Sequence, residues 1–167
     1  KQRSEIEKQK QAITDSITYA RQIQTAMLPP DEVLDKLSLN HLVYYKPSDI
    51  VSGDFYWMRE IKDEIAFAVA DSTGHGVPGA FMSMLGISFL NEIISEAHIP
   101  EAHEILNHLR SSVKSTLDQT GKADEAKDGM DMVICIFDEK NKNLNYAGAN
   151  NPIYIVRNKE IVRHMAD

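Results

Sequence analysis

The chain has a single cysteine, a single tryptophan and fewer basic than acidic residues. It also lacks any long apolar run. Each shortage excludes something. One cysteine, Cys135, cannot form an intramolecular disulfide, and nothing calls for an oxidising compartment. It lies in "MVICIFD", where a buried, inert thiol is expected rather than a reactive one. No segment approaches the ~20 apolar residues of a membrane-spanning helix, and no secretory signal is visible. A cytoplasmic protein is therefore expected, with any membrane anchor lying upstream. The net charge of −7 argues against nucleic acid as a partner, because both would be polyanions. An acidic protein that acts on phosphate esters needs positive charge supplied locally, and a metal ion is one source.

What is present suffices for one core: 167 residues, 43% of them hydrophobic. Residues 1–28 read as a helix that serves as a linker or dimerisation element. Ile6, Ile13, Ala20 and Met27 recur every seven residues, with Ile17 and Ile23 beside them, until Pro29 and Pro30 end the run. Gln9, Ser16 and Gln24 dilute this seam. Two readings stand: an amphipathic helix packed on its own domain, or a coiled-coil-like stalk that pairs with a second copy and joins an upstream module.

Residues 29–167 form the second region. Strands are expected at "HLVYYK", "DFYWMREI" and "EIAFAVAD", which are rich in aromatic and β-branched residues or alternate in size. Pro78 to about His98 reads as a helix apolar on most faces, and Pro100 to Gln119 as a second with one apolar stripe. The charged stretch "TGKADEAKDG" is an expected mobile loop, followed by four short strands divided by asparagine-rich turns. Strands, two helices, then strands favour an α+β architecture with an antiparallel sheet. The chain opens on Lys1 in mid-pattern and ends on Asp167 without a stop signal, and so reads as a piece of a longer protein.

The chemistry-bearing residues cluster around "VADSTGHGVPGAF". A two-residue turn at Lys62-Asp63 puts Ile61 opposite Glu64 and, further along the same register, Asp54 opposite Asp71. Facing residues have Cβ atoms about 5 Å apart, and like charges there repel. A hard divalent cation such as Mg²⁺ or Mn²⁺ between them would relieve that repulsion. Two strand-end acids facing solvent are the competing reading. Gly74, Gly76 and Gly79 permit backbone conformations closed to other residues and let a ligand approach the backbone closely. Pro78 suits the first turn of a helix, whose N-terminus attracts anions. Gly74, His75 and Gly76 are thus candidates for holding a phosphate substrate. His75 either donates to that phosphate or simply faces solvent. Asp128 and Asp131 read as turn and strand-start residues.

"VSGDFYW" followed by "ADSTGHGVPGAF" closely resembles the metal-dependent PPM-type (protein phosphatase 2C-like) serine/threonine phosphatases, in their bacterial SpoIIE/RsbU-like branch. "ARQIQTAMLP", "DGMDMVICIFD" and "YAGANNPIYIVR" extend the likeness from about residue 18 to the end. The resemblance implies an αββα sandwich with antiparallel sheets, incomplete here, in which acids bind two Mn²⁺ or Mg²⁺ ions. Asp71 matches the acid that bridges both metals, the backbone carbonyl of Ser72 matches a further ligand, and Asp54 matches the Gly-Asp-Phe acid of the site. Asp54 and Asp71 are accordingly the expected catalytic residues. The implied reaction is in-line attack of an activated water on phosphoserine or phosphothreonine. The implied substrate is a phosphorylated signalling protein, such as an anti-sigma-factor antagonist. An upstream sensor would act through the N-terminal helix of a homodimer.

Two departures stand out. The family's Ala-Gly-His-Asn-Pro stretch is Ala147 to Pro152 here, without the histidine. Its later Asp-Gly motif and final acid have no counterpart before Asp167, which implies an incomplete second metal site and little or no activity for the chain as it stands. The alternative function is a non-catalytic, dimeric phosphoprotein-binding module.

Overall fold

The computed structural model describes residues 2–37, 39–95, 99–120 and 128–166. A long helix α1 (Gln2–Met27) and a single-turn helix α2 (Asp31–Leu34) precede strands β1 (Phe55–Ile61) and β2 (Glu64–Ser72). Helices α3 (Gly76–Ile93) and α4 (Ala102–Thr116) follow, and then β3 (Met130–Asp138), β4 (Asn143–Ala149), β5 (Ile153–Arg157) and β6 (Glu160–His164). Strands β1-β2-β3-β4 form one antiparallel sheet in that order, and β5 pairs with β6 in a second. The expected α+β class with antiparallel strands is the fold observed.

Register follows from the turns. Lys62 takes the left-handed φ of 59° that a two-residue hairpin needs at its first position, and Ile61 faces Glu64. The β5–β6 turn has Asn158 (φ 52°) and Lys159 (φ 68°) both left-handed, the type I′ geometry that matches strand twist. Alternation then sorts the sheet into two faces. One carries the rows Phe55–Ala70–Met132 and Trp57–Ala68–Ile134, all buried. The alanines of β2 leave room for α3, which contributes Met82, Ile87 and Leu90 to the same core. Gly86 of α3 sits where a Cβ would lie 2.7 Å from the Phe55 ring. Helix α4 buries Ala102, Ile105, Leu109 and Val113, the stripe expected from its sequence. A capping box between Glu101 and Glu104 starts it, and Asn145 of β4 accepts from the Ala102 N–H and donates to Glu101, so the helix is moored to the sheet.

Several expectations need correction. "HLVYYK" is not a strand: residues 41–47 are irregular and join no ladder, and Leu42 and Tyr44 stand 92% and 85% exposed. Their β-prone composition has no neighbouring strand to pair with, and propensity does not supply one. Helix α3 begins two residues before Pro78 and ends at Ile93, with Phe81 exposed despite the apolar sequence around it. The expected end of that helix near His98 and most of the "TGKADEAKDG" loop lie outside the described residues. Cys135 is buried, and burial pushes its thiol up to about 11.

Helix α1 divides between the two readings of its seam. Gln24 and the adjoining Leu28 are buried in the domain, whereas Ile6 and Ile13 are more than half exposed. Among the described residues no helix is long and apolar enough to cross a membrane.

Candidate active site

The second face of the sheet carries the rows Met58–Phe67–Cys135 and Tyr56–Val69–Val133. One step further along, the row turns acidic. Asp71 faces Asp131 on β3, and Asp54, the residue before β1, continues the register on Asp71's other side. The hairpin register thus sets Asp54 across from Asp71 at its open end. Burial first, and then the hydrogen bond and the negative charge of Asp71, raise the Asp54 carboxyl above its ordinary range.

The Asp54 backbone is pinned at both ends. Its N–H donates to Ser52 Oγ (3.0 Å) and its carbonyl accepts from Tyr45 Oη (3.3 Å). Tyr45 in turn packs edge-on against Tyr56, their centroids 5.6 Å apart. Residues 39–46 pass over this face of the sheet and enclose a groove of about 800 Å³, lined by Tyr45, Tyr56, Phe67, Val69 and both acids.

The glycine loop is built by close packing as well as by left-handed turns. Gly74 (φ 87°) and Gly76 (φ 63°) occupy backbone conformations that favour glycine. Gly79 is helical, and what it requires is space. A Cβ there would lie 2.5 Å from the Gly74 carbonyl oxygen, and one on Gly53 would lie 2.9 Å from the same atom and 3.0 Å from the Ser72 carbonyl. Three segments therefore touch backbone to backbone beside the acids. Thr73 fastens the loop to the start of β3: its N–H donates to the Gly129 carbonyl (3.0 Å), and the Gly129 N–H donates to Thr73 Oγ1 (2.9 Å). The Ser72 side chain is buried on the helix-covered face, and its Oγ has no hydrogen-bond partner. Any contribution of Ser72 at the acidic end must come from its backbone.

His75 precedes α3 and makes no capping bond. Its side chain is 95% exposed, with Nδ1 3.7 Å from the Asp49 carboxylate. Asp131, read from the sequence as a strand-start residue, lies in the acidic row, its Oδ1 accepting from Asn150 Nδ2 (2.7 Å). Asn150 holds the left-handed φ of 62° within the stretch that lacks the family histidine. Two helices separate β3 from β2 in sequence, so no turn anchors their register, and Asp131's place was not readable from spacing.

The donor set fits a hard divalent ion. It is all oxygen, and among the described residues no lysine or arginine forms an ion pair with Asp54 or Asp71. Among those residues, no three acid, histidine or cysteine side chains converge tightly enough to enclose a metal. The arrangement is an open, two-carboxylate site.

The fold is that of protein phosphatase 2C domains. The SiaA-PP2C domain of Pseudomonas aeruginosa superposes with a TM-score of 0.82 at 31% identity, over 94% of this chain and 61% of that one. The family model of Stage II sporulation protein E (SpoIIE) matches residues 62–167, well over half of the chain, and the protein belongs to that family. Two further structures share the fold. The PP2C phosphatase domain of SpoIIE from Bacillus subtilis, solved with a fragment of its regulatory domain, has a TM-score of 0.54 at 24% identity, over 70% of this chain and 32% of that one. A Stage II sporulation E family protein from Thermanaerovibrio acidaminovorans has a TM-score of 0.51 at 15% identity, over 65% and 51%. The chain thus spans about three fifths of the SiaA domain structure. No curated protein sequence matches it significantly.

Proposed function

We propose that this chain carries the Asp54–Asp71 half of the active site of a divalent-metal-dependent protein phosphatase. The observation that carries this reading is the facing of Asp54 and Asp71 across the hairpin register, unneutralised by any described basic side chain, at the edge of a groove in a SpoIIE-family fold. Asp54, Asp71 and the Ser72 carbonyl would hold Mn²⁺ or Mg²⁺. When bound, a divalent pair makes a nucleophile of water near neutral pH and offsets the charge that builds on the phosphoryl oxygens. The chain's own part is positioning. Tyr45 and Ser52 fix Asp54, Thr73 fixes the loop after Asp71, and the α3 N-terminus presents free amides at Gly76 and Val77 to an anionic substrate.

The substrate class is a phosphoserine or phosphothreonine protein of a signalling pathway, such as an anti-sigma-factor antagonist. Helix α1 links the domain to an upstream sensor and pairs two copies through the exposed Ile6 and Ile13. The net charge of −7 disfavours nucleic acid as a further partner. The test is Mn²⁺-dependent hydrolysis of a phosphoserine peptide by the full-length protein beside its Asp71→Asn variant. Activity that requires metal and falls at least about a hundredfold in the variant supports the reading. A second reading, a non-catalytic phosphoprotein-binding module, draws on the absence of a third converging ligand among the described residues. Phosphopeptide binding without turnover by the full-length protein would favour it.

A further inference from the structure

Among the described residues, four polar ones are buried: Gln24, Ser52, Ser72 and Ser83. Three of them form one hydrogen-bonded cluster. Gln24 is the buried residue of α1, and its side-chain amide pairs with the backbone of Ser52 in both directions. Nε2 donates to the Ser52 carbonyl (2.6 Å), and the Ser52 N–H donates to Oε1 (3.0 Å). Nε2 also donates to Ser83 Oγ on α3 (2.7 Å), and that hydroxyl lies 3.1 Å from the Ser52 carbonyl and 2.9 Å from that of Ala80. Every polar atom of the Gln24 amide is engaged, as burial requires. On its other side, Ser52 accepts from the Asp54 N–H through Oγ. One side chain of the N-terminal helix is therefore linked through a single residue, Ser52, to a candidate ligand acid.

We propose that Gln24 is a positioning residue for Asp54, coupling the seating of α1 on the domain to the geometry of the acidic pair. Helix α1 cannot shift relative to α3 without either dragging the Ser52 backbone or breaking the amide's bonds. Breaking them strands a buried N–H, which is costly enough that the loop moves instead. Movement of Ser52 is passed to Asp54 through the Oγ bond, while Tyr45 holds the Asp54 carbonyl and makes the displacement a rotation about that end. An apolar heptad residue at position 24 would pack the helix but transmit nothing. As a statement about metal binding, the inference rests on the reading of Asp54 and Asp71 as ligands.

The experiment uses two measurements on the full chain and its Gln24→Met, Gln24→Asn, Ser52→Ala and Leu109→Ala variants. The first is hydrogen exchange of the Asp54 amide without metal, and the second is Mn²⁺ affinity by electron paramagnetic resonance. Gln24→Met keeps the side chain's volume and removes its hydrogen bonds. It is expected to speed exchange at Asp54 and to weaken Mn²⁺ binding about tenfold, the usual effect of losing a residue that orients a ligand. Ser52→Ala removes the acceptor of the Asp54 N–H itself and so sets the size of the exchange effect, and Gln24→Asn, too short to reach Ser52, carries the test if Gln24→Met fails to fold. Leu109→Ala, under α4 and away from the site, lowers the melting temperature without changing either readout. Unchanged exchange at Asp54 and unchanged affinity in the folded Gln24 variant overturn the proposal. If the unmodified chain binds no Mn²⁺, the metal reading fails on its own, and amide exchange alone then decides whether Gln24 positions Asp54.

Discussion

The two faces of the four-stranded sheet are built from the same strands and follow opposite rules. Under α3 and α4, Phe55, Ala68, Ala70, Met132 and Ile134 are each 3% exposed or less. On the other face Val69 is 55% exposed and the row ends in Asp54, Asp71 and Asp131. The dry face gains stability from apolar burial. The acidic end gives some of that stability up by setting like charges together. Such an imbalance within one sheet is where the proposed cation would sit, since a bound ion would offset the repulsion.

The comparison can be sharpened by unequal perturbations. The largest effect is expected on the dry face: Leu90→Ala, which empties a fully buried position, should cost about 3 kcal/mol in denaturant unfolding while leaving Mn²⁺ affinity of the folded protein unchanged. A change in affinity there would break the division between the faces. Gly79→Ala acts where the faces meet. Its methyl collides with the Gly74 carbonyl, so a loss of about 2 kcal/mol should come together with weaker metal binding. Smallest is Asp54→Asn, which relieves cross-strand repulsion and should raise metal-free stability at neutral pH by roughly 0.5 kcal/mol while impairing metal binding.

That last variant also has a pH signature. The folded Asp54 carboxyl holds its proton to higher pH than the unfolded one, so its contribution favours the folded state at low pH. It turns unfavourable as pH rises through the raised value. Metal-free stability should therefore decline less steeply above about pH 4 in Asp54→Asn than in the parent, as thermal melts across a pH series would show.

Much of this was readable where local rules apply without competition. The Lys62-Asp63 turn sets the β1–β2 register, and the facing acids follow from it. The stripe on α4 is a plain helical period. Legibility failed where a residue's partner is distant in sequence. Gln24 interrupts a heptad seam and so counts as a blemish, yet its partners at positions 52 and 83 make it a buried polar junction of three segments. Asp131 is the strand-start residue its sequence suggests, but that it faces Asp71 is not legible, because β2, its partner, lies across two helices. Residues 41–46 have strand composition, but composition says nothing about whether a ladder is available. Gly79 was attributed to ligand approach, whereas the close approach is by the chain's own Gly74 carbonyl.

The central claim is that Asp54 and Asp71 form one cation site. Its most direct test is a Mn²⁺ titration followed by electron paramagnetic resonance on the parent chain, Asp54→Asn and Asp71→Asn. Binding is expected in the parent and weakened in both variants, more severely in Asp71→Asn. Equal binding in all three, or none in the parent, would contradict it.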